Sequence, residues 1–272
     1  MRERKSRNGT TEAPKGHLRV QRDGEIALLC LDRAHKRNAL DDGAVLGLER
    51  FFARPPEDVR AVVLHGAGAH FCAGLDLSEL TARSAAEGLA HSRMWHRAFD
   101  HIQFGSVPVV AVLHGAVVGG GLELACAAHI RVAERSAYYA LPEGQRGLFV
   151  GGGGSVRLPR IIGVARMTDM MLTGRVYSAE EGQHAGLSHY LTAAGEGLDK
   201  AIELARAIAA NAPLSNFAVM HALPRIADSG QEPGLLIEAL MAGIAQSEPA
   251  AKDRLQAFLQ KRAGKVEKPR RR

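Results

Sequence analysis

Two stretches of the chain repeat the same succession of apolar, turn and amphipathic positions. Residues 61–80 read AVVLHGAGAHFCAGLDLSEL, and residues 109–128 read VVAVLHGAVVGGGLELACAA. Each begins with a continuous apolar run, as expected of a strand covered on both faces, and passes through Leu-His-Gly-Ala and a small-residue turn into a helix-like start. The pattern predicts two strand–turn–helix units of one layered fold.

The flanking sequence extends this prediction to the whole chain. Residues 17–32 alternate and then run apolar around Asp23-Gly24, which predicts a β-hairpin. Further strands are predicted at 130–133 and 138–141, and helices at 44–52, 78–104, 156–161, 165–172, 179–185, 197–210, 214–226, 233–245 and 250–262. Strands interleaved with helices, followed mainly by helices, predict an α/β core with a C-terminal helical subdomain.

Composition fits this organisation and adds basic ends. The 272 residues are 46% hydrophobic and 24% charged, as in an ordinary globular protein. Part of the formal charge of +6 is carried by MRERKSR at the start and KVEKPRRR at the end. We predict a basic tail at 1–16, an α/β core at 17–200, a helical subdomain at 201–263 and a second basic tail at 264–272.

The composition and sequence also argue against nucleic-acid binding and a membrane span, and they indicate a compartment. The tails lack the aromatic residues of a single-strand nucleic-acid surface, so we interpret them as solvated ends and expect no nucleic-acid partner. No apolar run approaches the roughly 20 residues of a membrane span. Cys30, Cys72 and Cys126 sit among apolar neighbours without a CxxC pair, which indicates buried free thiols in a reducing compartment. Without a signal-like segment, the expected location is the cytoplasm.

The glycines at 119–121 open into a predicted helix that carries Glu123, and a second acid, Glu143, follows Pro142. Helix starts leave N–H groups without partners, and two converging starts could hold one developing oxyanion. We therefore predict two carboxylates around a polarised carbonyl. Taken singly, Glu123 could instead complement the helix dipole, and Glu143 could be a solvated loop residue.

Other common sites are not supported by the sequence. It contains no GxxxxGK[ST], HExxH, GxSxG or GxGxxG pattern, and its twelve histidines form no metal-ligand cluster. We expect no metal site.

Four segments together resemble the enoyl-CoA hydratase/isomerase, or crotonase, superfamily. They are RAHKRNAL (33–40), HFCAGLDL (70–77), GAVVGGGLELA (115–125) and LPEGQRG (141–147), and their order and spacing match the family. The resemblance implies a crotonase-like spiral of repeated ββα units. One departure is LFVGGGG (148–154), where the family typically carries Pro-Gly-Ala.

The resemblance also implies roles for particular residues. The backbone N–H groups of Leu75 and Gly120 would form an oxyanion hole for the thioester oxygen, and Glu123 and Glu143 would activate water and supply a proton. Coenzyme A would be contacted from the first bend and the preceding loop, and by a C-terminal pair from a neighbouring subunit; these residues are Lys36, Ala39, Ala73, Asp76, Leu77, Phe258 and Lys261. Asp76 could equally be a helix cap, and the last two could simply end an amphipathic helix.

The expected activity is hydration of a trans-2-enoyl-CoA to a 3-hydroxyacyl-CoA, as in fatty acid metabolism. Coenzyme A would be part of the substrate, and no further cofactor is expected. Isomerisation of an enoyl-CoA, or a lyase or hydrolase reaction through the same enolate, is the alternative within the family. A catalytically silent CoA-binding scaffold is the non-enzyme alternative. The family implies a homotrimer or homohexamer.

Overall fold

The computed structural model describes residues 17–79, 83–260 and 262. The strands are β1 (Leu18–Asp23), β2 (Ile26–Leu31), β3 (Ala61–Gly66), β4 (Val109–Leu113), β5 (Ala116–Val118), β6 (Ile130–Glu134), β7 (Tyr138–Ala140), β8 (Tyr177–Ser178) and β9 (Tyr190–Thr192). The α-helices are α1 (Asp42–Ala53), α2 (Ala85–Gln103), α3 (Gly120–Ala127), α4 (Gly154–Ile162), α5 (Val164–Thr173), α6 (Ala179–Ala185), α7 (Gly197–Ala209), α8 (Pro213–Phe217), α9 (Leu223–Asp228), α10 (Gln231–Ser247) and α11 (Pro249–Leu259).

The main sheet has six strands in the order β1-β2-β3-β4-β6-β9. β1 and β2 form the predicted antiparallel hairpin, with Gly24 at φ +61° in its turn, and the remaining strands pair in parallel. The parallel strands β3 and β4 are buried along nearly their whole length, as their continuous apolar runs predict. The α/β prediction is confirmed.

The two faces of this sheet pack against different layers. On β3, Val62 and Leu64 belong to the larger core cluster, which also includes apolar residues of α1, α2 and α3. The alternating Ala61 and Val63 lie on the other face, in a cluster with Ala201 of α7. The helix α7 therefore belongs to the sheet-containing part of the chain, and a boundary after residue 200 would fall inside it.

A smaller sheet, β5-β7-β8, brings the two bends together. Its strand β5 also pairs in parallel with Cys72 through an isolated bridge between Cys72 and Val117, and a second bridge joins Leu40 to Leu75. The loop before α1, the bend after β3 and the bend after β4 consequently lie side by side, which positions the candidate site.

The first bend differs from the predicted strand–turn–helix pattern. Where the structure describes it, this bend leads into a 3₁₀ turn (Leu77–Glu79), and α2 begins at Ala85 rather than near residue 78. Ser84 starts α2 through a capping box with Glu87, in which each side chain bonds the other residue's backbone N–H. Of the two expected helix starts, only the one at Gly120 is an α-helix.

The described residues divide into two compact units after Ala209. The second unit contains α8 to α11, with a π-helical turn (Ala218–Ala222) between α8 and α9 where one helix was predicted over 214–226. Pro224, which has no N–H to donate, follows this turn. In the described part of the chain, no helix combines the length and apolar character needed to cross a membrane.

Candidate active site

The amide of Leu75 is directed away from its own bridge partner. Leu40 donates its N–H to the carbonyl of Gly74 (2.8 Å) and accepts the N–H of Asp76 (2.8 Å), so the intervening residue exposes its N–H on the opposite side. Gly74 has φ +93°, and a Cβ placed on it would lie 2.8 Å from the carbonyl oxygen of Val118. Glycine is therefore required for the two bends to approach.

The amide of Gly120 lies beside that of Leu75. Gly120 is the first residue of α3, where an N–H has no intrahelical acceptor. A Cβ placed on Gly120 would lie 3.5 Å from the Leu75 nitrogen, and one placed on Gly74 would lie 3.2 Å from the Gly120 nitrogen. Two main-chain donors from separate bends thus converge, one of them at the positive end of a helix.

Glu123 is held by the glycine-rich turn before α4. Only 3% of it is exposed, and its Oε1 accepts the N–H groups of Gly152 (2.8 Å) and Gly154 (2.7 Å). Burial raises the pKa of Glu123, while these amides and the Arg157 guanidinium act in the opposite direction. The carboxylate is therefore inside the protein with hydrogen bonds that stabilise its charged form, rather than on the surface of the first turn.

Glu143 has a different environment. It lies before the 3₁₀ turn Gly144–Arg146, and among the described residues its Oε2 is buried without a hydrogen-bond partner. A Cβ on Gly119 would lie 2.6 Å from its Oε1, which places Glu143 next to the start of α3. Burial raises the pKa of Glu143 to about 7, and the charge of Glu123 adds to this. The two predicted acids are close enough to interact electrostatically, and burial raises the pKa of both, but only Glu123 has the backbone N–H groups of the glycine turn as hydrogen-bond donors.

Trp95 of α2 forms a wall of the same site. It is 4% exposed, its ring edge would lie 2.7 Å from a Cβ on Gly120 and 3.2 Å from one on Gly152, and it packs edge-on against Phe99. Trp95 therefore belongs to the hydrophobic core and also lies next to the amide pair and the Glu123 carboxylate. A side chain at residue 152 would crowd Trp95, Phe99 and Glu123, which is a physical reason for glycine at this departure from the family pattern.

The loop at 33–40 is fixed to the first bend by Asn38, which the sequence analysis did not single out. This residue is 1% exposed; its Oδ1 accepts the Arg33 N–H (2.9 Å), and its amide donates to the carbonyls of Ala67 (2.9 Å) and His70 (2.6 Å). Asn38 also has φ +56°, a left-handed conformation that asparagine tolerates. The feature of the sequence that could have identified Asn38 is its position within the family-like segment at residues 33–40.

Asp76 ties the same two segments together by charge. It is buried, lies 2.6 Å from Arg33 Nη1 and 3.5 Å from Lys36 Nζ, and accepts the N–H and hydroxyl of Ser78. Hydrogen bonding from the Ser78 backbone, with help from Arg33, lowers the pKa of Asp76 to about 2. The contact with the Ser78 N–H matches the cap interpretation.

The other residues predicted to contact coenzyme A lie in two places. Ala39 and Ala73 are partly buried near Asp76, and Leu77 is 55% exposed. Phe258 lies on α11 in the second unit and is exposed. Lys261 is outside the described residues. Within 17–79, 83–260 and 262, no group of three or more His, Cys, Asp or Glu residues could hold a metal ion.

Comparison with known proteins identifies similar chains. The family described as Enoyl-CoA hydratase/isomerase matches residues 21–269. Enoyl-CoA hydratase EchA19 of Mycobacterium tuberculosis is 30% identical over 249 residues, covering 90% of this chain and 94% of its own. The 2,3-dehydroadipyl-CoA hydratase of Escherichia coli is 31% identical over 249 residues, covering 90% and 96%.

Solved structures give the same result. A protein of Rhodopseudomonas palustris CGA009, named provisionally as an enoyl-CoA hydratase, is 60% identical, with a TM-score of 0.89 over 93% of this chain and 98% of its own. Enoyl-CoA hydratase from Bacillus anthracis is 29% identical, with a TM-score of 0.84 over 90% and 96%. These similarities confirm the predicted fold class, including its helical C-terminal part.

Proposed function

The chain belongs to the enoyl-CoA hydratase/isomerase family, and on that premise we propose that it adds water to a trans-2-enoyl-CoA to give a 3-hydroxyacyl-CoA. The observation that carries the proposal is the grouping of two adjacent main-chain donors with two carboxylates in unlike environments. The substrate is an acyl-CoA thioester, and neither a metal nor a redox cofactor is part of the proposal.

In this mechanism the N–H groups of Leu75 and Gly120 bind the thioester oxygen. Negative charge grows on this oxygen as the enolate forms, so the donors stabilise the transition state more than the substrate. One such donor can contribute roughly 3 to 4 kcal/mol. Because both donors are backbone N–H groups, the side chain of Leu75 is not needed to bind the oxygen.

We assign Glu123 as the base and Glu143 as the acid. The two amides bonded to Glu123 Oε1 favour its carboxylate, which takes a proton from water as the water oxygen attacks C3. The Oε2 of Glu143 has no hydrogen-bond partner among the described residues, and burial raises the pKa of Glu143 to about 7, so a large share of its carboxyl groups carries a proton near neutral pH that can be delivered to C2. Transfer of the proton from Glu123 back to Glu143 restores the starting state.

The proposed coenzyme A contacts lie around the loop at 33–40. Lys36 is exposed beside Asp76 and can reach a phosphate, while Ala39, Ala73 and Leu77 offer small or apolar contacts near it. Asp76 would act mainly by holding Arg33 and Lys36 in place. Phe258 and Lys261 remain proposed contacts to the coenzyme A of a neighbouring subunit.

We further propose that the protein is a cytoplasmic homotrimer or homohexamer that works in fatty acid metabolism, by analogy with the family. Light scattering coupled to size exclusion tests the assembly. A monomer at micromolar concentration would contradict it.

Hydration is tested by following the loss of conjugated thioester absorbance from crotonyl-CoA and longer trans-2-enoyl-CoAs. Glu123→Gln and Glu143→Gln should each remove turnover, whereas Glu57→Gln, at an exposed position, should not. An isomerase would instead raise the conjugated absorbance from a 3-enoyl-CoA and depend on only one of the two glutamates. Wild-type protein that binds coenzyme A without converting any enoyl, isomer or hydrolysable thioester would favour the scaffold.

A further inference from the structure

The turn at residues 151–154 consists of four glycines, yet it has to hold the Glu123 carboxylate accurately. Glycine loses more conformational freedom on ordering than any other residue, so a tetraglycine turn does not keep one shape by itself. In the structure, the N–H groups of Gly152 and Gly154 both point at Glu123 Oε1, and Gly153 between them has φ +93°. Another group must hold this turn in place.

Arg157, one turn into α4, makes that contact. Its side chain is 7% exposed and uses three nitrogens: Nη1 donates to the Gly152 carbonyl (3.0 Å), Nη2 to Asp100 Oδ1 (2.6 Å) and Nε to Gln103 Oε1 (2.6 Å). A Cβ on Gly153 would collide with Nη1, so glycine there lets the guanidinium reach the turn. The planar fork joins α2 to the Gly152 carbonyl, in the peptide group between the two whose N–H groups bond Glu123.

We propose that Arg157, oriented by Asp100 and Gln103, is the positioning residue that fixes the glycine turn and thereby sets the direction and charge of the Glu123 carboxylate. The inference rests on the proposed function for its catalytic consequence. The contacts that carry it form an unbroken series from α2 through Arg157 and Gly152 to Glu123.

The charged groups around Glu123 determine the direction in which its pKa should change when one of them is removed. Arg157 from α4 faces Glu123 and lowers its pKa, while Glu143 from the opposite loop is the neighbouring acid and Cys126 lies on α3 itself. Asp100 faces Arg157 and partly compensates its charge. Loss of the Arg157 charge should raise the pKa of Glu123, and loss of the Asp100 charge should lower it.

The principal variants are Arg157→Met and Arg157→Lys. Arg157→Met should lower kcat by about 10-fold or more, since small misplacements of a catalytic group are costly, while KM changes little. The acidic limb of its pH profile for kcat/KM should move to higher pH because Glu123 must be deprotonated to act. Arg157→Lys retains the charge but not the fork, so it should lose kcat while keeping the limb near the wild-type position.

Asp100→Asn provides a variant of opposite sign. The Asp100 side chain is 58% exposed, so the substitution should fold, and the acidic limb should move to lower pH. The matched control is Arg131→Met, which removes another buried arginine, one that donates to the Leu187 and Ala128 carbonyls. This control should lower the melting temperature without moving the limb.

Amide hydrogen exchange of residues 151–154 tests the geometry without catalysis. Exchange should accelerate in Arg157→Met and stay at the wild-type rate in Arg131→Met. Wild-type protein that hydrates no enoyl-CoA would overturn the proposed function, and exchange would then decide the positioning role by itself. Arg157→Met with wild-type exchange, kcat and pH limb would overturn the inference. If Arg157→Met does not fold, an unmoved limb in Asp100→Asn overturns it.

Discussion

Replacing Glu143 by glutamine should remove a pH-dependent destabilisation of the folded protein together with its proposed acid. Burial raises the pKa of Glu143 from its ordinary 4.5 to about 7, so the folded state resists ionisation that the unfolded chain undergoes freely. For an acid with a raised folded pKa, the penalty is absent below pH 4.5, grows between pH 4.5 and 7, and is complete above pH 7. Glutamine does not titrate and avoids it.

The magnitude follows from the two pKa values. At roughly 1.4 kcal/mol per pH unit, the interval from 4.5 to about 7 corresponds to about 3 kcal/mol. Partial solvent access to Glu143 reduces this, and we expect about 2 kcal/mol. The buried Oε2 site, which has no hydrogen-bond partner among the described residues, would add a cost for the glutamine N–H₂ group, but that cost does not vary with pH.

The measurement is urea unfolding of wild type and Glu143→Gln at intervals from pH 4 to pH 8.5. The difference in free energy of unfolding should shift by about 2 kcal/mol in favour of the variant across this range, mostly between pH 4.5 and 7. Glu57→Gln is the matched control at an exposed position. A difference that stays flat with pH, whatever its size, would show that Glu143 ionises as easily folded as unfolded and would refute the reasoning.

Three further substitutions test other parts of the site. Gly120→Ala would place a Cβ 2.7 Å from Trp95 and disturb one oxyanion donor, so kcat on crotonyl-CoA should fall about 100- to 1,000-fold with the melting temperature less affected; near-normal kcat would contradict that role. Asn38→Ala leaves three backbone groups without their partner and should lower the free energy of unfolding by about 3 kcal/mol in urea titrations while raising KM for the acyl-CoA, and an unchanged KM would argue against the loop's role. Trp95→Leu removes the wall beside Gly152 and should shift the kcat/KM ratio roughly 10-fold towards longer enoyl-CoAs, with an unchanged ratio placing the acyl chain elsewhere.

The sequence by itself determined the elements whose pattern is local. The apolar runs of β3 and β4, the Asp-Gly hairpin and the amphipathic helices are fixed by side-chain periodicity and turn chemistry, which neighbouring residues carry. The four family segments also sufficed to predict the fold class. The roles of Leu75, Gly120, Glu123 and Glu143 remain predictions, although the structure brings all four together.

Tertiary structure decided how those residues are held. No local pattern distinguishes the 3₁₀ turn after Leu75 from the α-helix after Gly119, since the first bend is shaped by its bridge to Leu40. Likewise, nothing near Arg157 in the sequence indicates that its partners are Asp100 and Gln103, more than fifty residues earlier. Burial and long-range pairing set the pKa values and the positions of charges, because the field at a carboxyl group depends on what surrounds it in space.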